Sequence, residues 1–382
     1  MPIEIKLDGL PAGMSMHHAL PNENVLVRTS QFLSSEDGND FVLGLEGISG
    51  CYGDVLDRIG VRPSQVDHLL AIVRPTEDAT IYVNECQQSV LCRAKRTINA
   101  GAVVTNSDIA DIHRMEFRDK SGRLIEVPDD CGCELLFSVG WRKGLYYDFG
   151  VFGPNAPRRT IDLPELFGQF FARLAFQNLF SMSEEQWARL LEWGWFPFIA
   201  LNENDRDKLV SWASQEREPH SVLIEICESY RNGVSRRAES WLTSETLKTH
   251  SQFIESALQN YQRGDFVASI QVLFPRIEGI LRSLHFKLWP TNKVSQSSLA
   301  KVVSESEREE SLLLPQRFRN WLESWYFHHF DEHRQVLPLS RNSVAHGVSR
   351  ANDYGLTTAT VGFLVIDQLF YYLRPHEKRG NS

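Results

Sequence analysis

The chain has 382 residues, enough for two or three domains. Hydrophobic residues make up 42% and charged residues 23%, and no run of eighteen apolar residues occurs, so composition points to a globular chain with a sizeable core and not to a set of membrane spans. The net charge of −9 is carried before His250, while the last third is close to neutral; this excludes a general nucleic-acid-binding surface but leaves room for a local basic site there.

The first six residues, Met-Pro-Ile-Glu-Ile-Lys, lack the basic-then-apolar pattern of a signal peptide, and six cysteines in this length do not suggest a disulfide framework. A reducing cytoplasm is the expected location.

Residues 1–155 read as β-rich. Strand composition marks Ala79–Val83, Ser89–Cys92, Gly132–Val139 and Gly144–Phe149. Asp119-Lys120-Ser121-Gly122-Arg123 reads as a turn between apolar runs, predicting a hairpin over Met115–Val127. One helix is predicted at Tyr52–Ile59. A linker with Gly153, Pro154 and Pro157 follows.

Residues 156–249 read as a helical middle region. Asp162-Leu163-Pro164 places an N-cap and a first-turn proline before Phe167, Phe170, Phe171 and Leu174, which share one face. Ser183-Glu184-Glu185-Gln186 resembles a capping box. Further helices are predicted at Asp205–Ser214 and between Ser221 and Leu247.

Residues 250–375 read as four helices: Phe253–Tyr261 stopping at Gly264, Phe266–Leu288 with a kink expected at Pro275, Arg317–Phe330, and a last helix starting near Arg341 or after Tyr354 and ending at Leu373. Asn292–Glu310 reads as loop or frayed helix. Val361–Leu373 is the most apolar run, but Asp367 and Gln368 interrupt it, so it reads as a buried helix. Residues 376–382 form a basic tail. The expected fold is therefore multidomain: a β-rich α+β N-terminal domain followed by an all-α region.

The candidate chemistry lies at Arg341-Asn342-Ser343-Val344-Ala345-His346. Residues five apart on a helix are separated by roughly 140°, so Arg341 and His346 flank a groove. Asn342 and His346 are four apart and share a face, where an amide can orient an imidazole. Arginine supplies a permanent charge for phosphate, and histidine moves protons near neutral pH. An arginine, four to six residues and a histidine is a loose pattern that Arg62 and His68 also fit, but Pro63 follows that arginine directly in a loop-like context. The rival reading of His346 is an interior histidine near a helix start.

Ser340 to Gly347 also resembles the signature of the HEPN superfamily: an arginine, a polar residue such as asparagine, a few more residues, then a histidine, at a helix near the end of a four-helix bundle. Upstream, Leu273 to Arg282 resembles the second helix of abortive-infection and defence-type HEPN proteins, where a glutamate and an arginine one turn apart follow a proline. The resemblance covers about one third of the chain. It implies an all-α HEPN-like bundle at 250–375 that dimerises, and metal-independent cleavage of RNA without a cofactor, in stress or phage defence. Carried over, Arg341 contacts phosphate, His346 is the acid/base and Asn342 its polar companion. Glu278 and Arg282 support that site, or form an i,i+4 ion pair on a helix surface. RNA and a second copy of the chain are the implied partners, with no membrane, and the N-terminal region is where a regulatory partner would act. The superfamily also holds inactive members, so the alternative is a non-catalytic module for dimerisation or partner binding.

Leu91 to Ile109 resembles the core of SAF-type domains: a basic stretch, Ala100-Gly101, then Thr105 and Asp108. SET-domain proteins share part of this pattern, but a later tyrosine of it is Asp108 here. Cys86, Cys92, Cys131 and Cys133 lack the two-residue spacing of common zinc knuckles and read as buried thiols. His329 and His333 are four apart near Asp331 and Glu332 but lack the glutamate of the zinc-protease pattern, and read as a polar helix end. Trp187, Trp193, Trp195, Trp212 and Trp241 point to an aromatic core or interface in the middle region, with a base-stacking platform as the alternative. No Gly-rich phosphate loop, nucleophile elbow or kinase motif set occurs.

Overall fold

Leu69–Val73 reads Leu-Leu-Ala-Ile-Val and is buried along its whole length. A strand without a polar side must be covered on both faces. The structure, a computed structural model, shows how. It describes residues 2–373 except 12, 153–155, 157, 216 and 329–338. The predicted cluster at His329 and His333 and the basic tail lie outside the described residues.

Ten strands and thirteen α-helices are described. The strands are β1 (Ile3–Lys6), β2 (Met14–Ser15), β3 (Val27–Arg28), β4 (Ser30–Ser34), β5 (Leu69–Val73), β6 (Asp78–Val83), β7 (Gln87–Ala94), β8 (Ile109–Arg118), β9 (Gly132–Val139) and β10 (Arg142–Asp148). Six form one antiparallel sheet in the order β1-β6-β5-β9-β10-β4. β2 pairs with β3, and β7 with β8.

By contact the chain divides into two units, Met1–Arg93 with Ile112–Gln177, and Ala94–Asp111 with Asn178–Ser382. The middle region expected at 156–249 is thus shared: α2 (Leu163–Ala175) belongs to the first unit and the later helices to the second.

In the first unit, helix α1 (Asn39–Arg58) covers one face of the sheet and α2 the other. Leu69, Ala71 and Val73 pack with Ile48, Tyr52 and Val55 of α1, while Leu70 and Ile72 pack with Phe167, Phe170 and Leu174 of α2. The period of two sorts neighbouring residues onto opposite layers. Asp162 caps α2 by accepting from the Glu165 N–H at 3.1 Å, as its position before Leu163-Pro164 predicts. The turn at 119–123 forms around Asp119, whose side chain accepts from the Ser121 and Arg123 N–H groups, and a bridge joins Arg118 to Leu124.

Two differences from the sequence reading have clear causes. α1 starts at Asn39, well before Tyr52, because Gly44, Gly47, Gly50 and Gly53 lower its apparent helix propensity. Burial of Phe41 and Ile48 against the sheet overrides that cost. β5 carries no alternation to mark it as a strand, because both of its faces are covered.

Gly168 lets α2 approach β8. A Cβ there would lie 2.7 Å from the Arg114 Cα. Gly168→Ala should therefore lose about 2 kcal/mol in urea unfolding, although alanine is the better helix former. A gain in stability would show that this close approach does not matter.

The second unit is helical: α3 (Gln177–Phe180, whose first residue belongs to the first unit), α4 (Glu184–Glu192), α5 (Glu203–Ala213), α6 (His220–Trp241), α7 (Glu245–Lys248), α8 (Ser251–Arg263), α9 (Phe266–Leu288), α10 (Gln296–Ser306), α11 (Pro315–Trp321), α12 (Arg341–His346) and α13 (Leu356–Leu373). α13 is its axis. Every residue from Ala359 to Leu373 is buried. By length and composition α13 matches a membrane span, yet the other helices enclose it. Three buried polar residues on it are bonded: Thr360 to Tyr261 and the Leu356 carbonyl, Asp367 accepting from Tyr230 and Trp241, and Gln368 to the Ile199 N–H and the Leu313 carbonyl. Trp241 and Trp195 are wholly buried, in keeping with an aromatic core.

The predicted stop of α8 is present: Gly264 takes a left-handed conformation at φ 82°. α9 runs through Pro275 as one element. Asn292–Glu310 is largely α10, started by a Ser295/Ser298 capping box. The third predicted helix is α11, continued by a π-helical turn at Leu322–Tyr326. Both proposed starts of the last helix are real, because Gly347 at φ 69° ends α12 before α13 begins.

Candidate functional site

α12 is only six residues long, so its ends matter more than its propensity. Ser340 caps it, accepting from the Ser343 N–H at 3.2 Å, while its own N–H donates to the Ser343 hydroxyl at 2.8 Å. Ser343 and Val344 are buried. The helix is thereby held at both ends, and Arg341 and His346 occupy its first and last positions.

Arg341 is half-buried and points at Glu278 of α9. Its Nε forms an ion pair with Glu278 Oε2. The other carboxylate oxygen of Glu278 accepts from Arg282 Nε at 2.9 Å and Nη2 at 2.7 Å. Glu278 is only 6% exposed, so it is a buried carboxylate bridging two guanidiniums and not a surface i,i+4 partner. The rival surface-pair reading is corrected on that point: Arg282 reaches solvent, but Glu278 does not. Burial of one member raises the electrostatic stake of the pair.

Asn342 is 5% exposed. Its amide nitrogen donates to the His328 carbonyl at 2.9 Å, and its oxygen accepts from Gln296 Nε2 at 2.8 Å and Arg341 Nη1 at 3.1 Å. These bonds fasten α12 to α10 and to the chain at His328. The recorded bonds of Asn342 thus position Arg341 and do not run to the imidazole. The shared helical face could not reveal this, because the partners come from distant segments.

His346 is exposed at the last position of α12. The interior-histidine reading does not describe it. Tyr326 stands beside the pair, its hydroxyl donating to the Phe274 carbonyl at 2.6 Å. Burial, reinforced by the charge of Glu278, holds this phenol well above its usual range, so it stays protonated. Tyr326 and Gln296 were missed in the sequence. Gln296 lies in the polar stretch read as loop or frayed helix, and nothing in spacing singles out Tyr326.

The described residues thus bring together Glu278, Arg282, Arg341 and Asn342 and place His346 at the far end of the same short helix. One end carries the Arg341 cation fixed by Glu278 and Asn342; the other, at His346, faces solvent. No group of three His, Cys, Asp or Glu gathers as metal ligands among the described residues. Cys86, Cys131 and Cys133 are buried in the first unit, where burial raises their thiols, Cys86 to about 11 and Cys133 to about 12. The SAF-like stretch contributes the end of β7 and the start of β8, joined by a turn in which Arg96 and Thr105 hold Asp108.

Comparisons with family models, with curated proteins and with solved structures found no match.

Proposed function

We propose that the chain is a cytoplasmic HEPN-type endoribonuclease of stress or phage defence, acting as a homodimer without a metal. The observation that carries this reading is the meeting of Glu278 and Arg282 with Arg341, the two sequence pieces that resemble the superfamily. The exposure of His346 supports it as well.

In the proposed reaction the ribose 2′-hydroxyl attacks the adjacent phosphorus and the bond to the 5′-oxygen breaks. The products are a 2′,3′-cyclic phosphate and a 5′-hydroxyl. His346 moves a proton to or from the reacting oxygens, and Arg341 neutralises the charge that develops on the phosphoryl oxygens. Glu278 and Asn342 hold Arg341 in place. The first unit provides the surface for a regulatory partner.

Incubation of RNA with purified protein in EDTA tests this. His346→Ala is expected to reduce cleavage by at least about a hundredfold. Equal cleavage by the two proteins would remove the assignment.

A second reading is a non-catalytic bundle for dimerisation. It is favoured by the ion pair that Glu278 already makes with Arg341, so that a phosphate must compete for the guanidinium. Under that reading no RNA product forms, and Arg341→Ala changes oligomeric state or stability alone.

A further inference from the structure

The first unit contains a cavity of about 290 Å³, apart from every residue assigned to RNA cleavage. It lies between β8, residues 124–129 and the start of α2. The Ile125 N–H donates to the Phe117 carbonyl at 2.8 Å, which holds residues 124–129 alongside β8. Met115, Phe117, Leu163 and Phe167 are all buried and give the cavity an apolar floor. The Phe117 and Phe167 rings meet edge to face, with centroids 6.1 Å apart. Ile161, which also lines the cavity, is 57% exposed, so the floor can be reached from solvent. Close-packed interiors leave few voids larger than a water molecule, and a space of this size is at the lower end of small-molecule sites.

Five charged residues share the lining: Arg114, Glu116, Glu126, Asp129 and Asp162. The Arg114 Nε lies 3.1 Å from a Glu116 carboxylate oxygen, so the one cation is already balanced. The other oxygen of Glu116 pairs with Arg118 at 3.1 Å. Asp162 is engaged as the cap of α2. Glu126 and Asp129 are exposed and have no ion-pair partner among the described residues. Lys120, Arg123 and Arg159, near them in the sequence, are paired with Glu85, Asp119 and Asp148. The cavity therefore combines an apolar floor with a surplus of negative charge on its wall.

The floor suits a carbon body, and the wall decides what that body carries. A carboxylate or phosphate would meet like charge there, whereas an ammonium would meet Glu126 and Asp129. We propose that this cavity binds a small organic amine: one apolar group the size of a single ring, bearing one positive charge. The site goes beyond the RNase reading and stands independently of it.

The test uses the full chain and three probes of one shape: phenethylamine, 2-phenylethanol and phenylacetate, which are cationic, neutral and anionic at pH 7. Calorimetric titration at low salt should show saturable binding of phenethylamine. It should bind about threefold tighter than 2-phenylethanol and about tenfold or more tighter than phenylacetate, and both gaps should narrow as salt is added. Glu126→Gln combined with Asp129→Asn should bring phenethylamine down to the level of 2-phenylethanol and leave 2-phenylethanol as it was. Both side chains are exposed, so this pair of changes carries little folding cost. Val127→Phe places a ring in the space and should abolish binding of phenethylamine. The ranking of the three probes on the wild type stands even where that variant fails to fold. Absence of saturable phenethylamine binding overturns the proposal. So does equal or tighter binding of either other probe, or undiminished phenethylamine binding in the double variant or in folded Val127→Phe.

Discussion

Glu278→Ala is expected to lower the stability of the helical unit by about 3 kcal/mol. The carboxylate is buried and serves two guanidiniums at once. Its removal leaves Arg341 half-buried without its counter-charge, and that uncompensated charge dominates the cost. Arg282 behaves differently. Its side chain is 47% exposed, so water replaces Glu278 when the pair is broken from that side. Arg282→Ala should therefore cost less than about 1 kcal/mol. The contrast is measured by urea unfolding of both variants, reading the midpoint at constant slope. Arg341→Met combined with Glu278→Ala should cost less than the sum of the two single changes, because the second removes the charge that the first strands. Equal losses from Glu278→Ala and Arg282→Ala would mean that the bridge to Arg341 adds nothing. The same variants bear on chemistry: the proposed nuclease loses activity with Glu278→Ala even where the protein stays folded, since Arg341 is no longer aimed.

Much of this site was legible in the sequence, but unevenly. Ser340, Arg341 and Gly347 mark a short capped helix by residue type alone, and Glu278 and Arg282 fall one turn apart on a strongly apolar helix. What spacing could not supply is the third dimension. Asn342 shares a helical face with His346, yet its buried amide finds the His328 carbonyl and Gln296 instead. A buried amide bonds whatever polar group the packing brings to it, and those groups lie outside its own helix. In the first unit, strand composition, with its β-branched and aromatic residues, marked β6, β9 and β10. β5, covered on both sides, carries no alternation to mark it, and α1 was truncated because four glycines weaken the local signal while tertiary burial decides the outcome. Lys95 is the reverse case. It was read as one residue of the basic stretch in Leu91–Ile109, and only the approach of α5 and α6 makes it unusual, burial pushing its ammonium down to about 7.

The stability of the first unit should fall as pH rises from about 4.5 to about 7, and Glu134 should be responsible for about 3 kcal/mol of that fall. Glu134 lies on β9 opposite Tyr147 of β10 and Ala71 of β5, on the face covered by α1. It is 7% exposed. Burial pushes its carboxyl up to about 7, and the neighbouring Tyr52 hydroxyl pulls it only partly back. Around it stand Tyr52 and Cys51 of α1, Tyr147 of β10 and Cys133 of β9, all groups that are neutral at this pH and that its charge in turn disfavours from ionising. The direction follows from the protonated form being the one the fold accepts. Below about pH 4.5 the carboxyl is neutral in both folded and unfolded chains, and the fold bears no cost. Above that the unfolded chain ionises freely while the folded one holds its proton, so unfolding becomes easier until the folded carboxyl also ionises near pH 7. Glu134→Gln keeps the shape and removes the titration. Urea unfolding at pH 5 and pH 8 should show a difference that shrinks by about 2.5 kcal/mol in Glu134→Gln relative to the wild type, with the variant the more stable protein at pH 8. An unchanged pH dependence would place the carboxylate in contact with water or with a cation, and the sheet face beneath α1 would not be as dry as its packing implies.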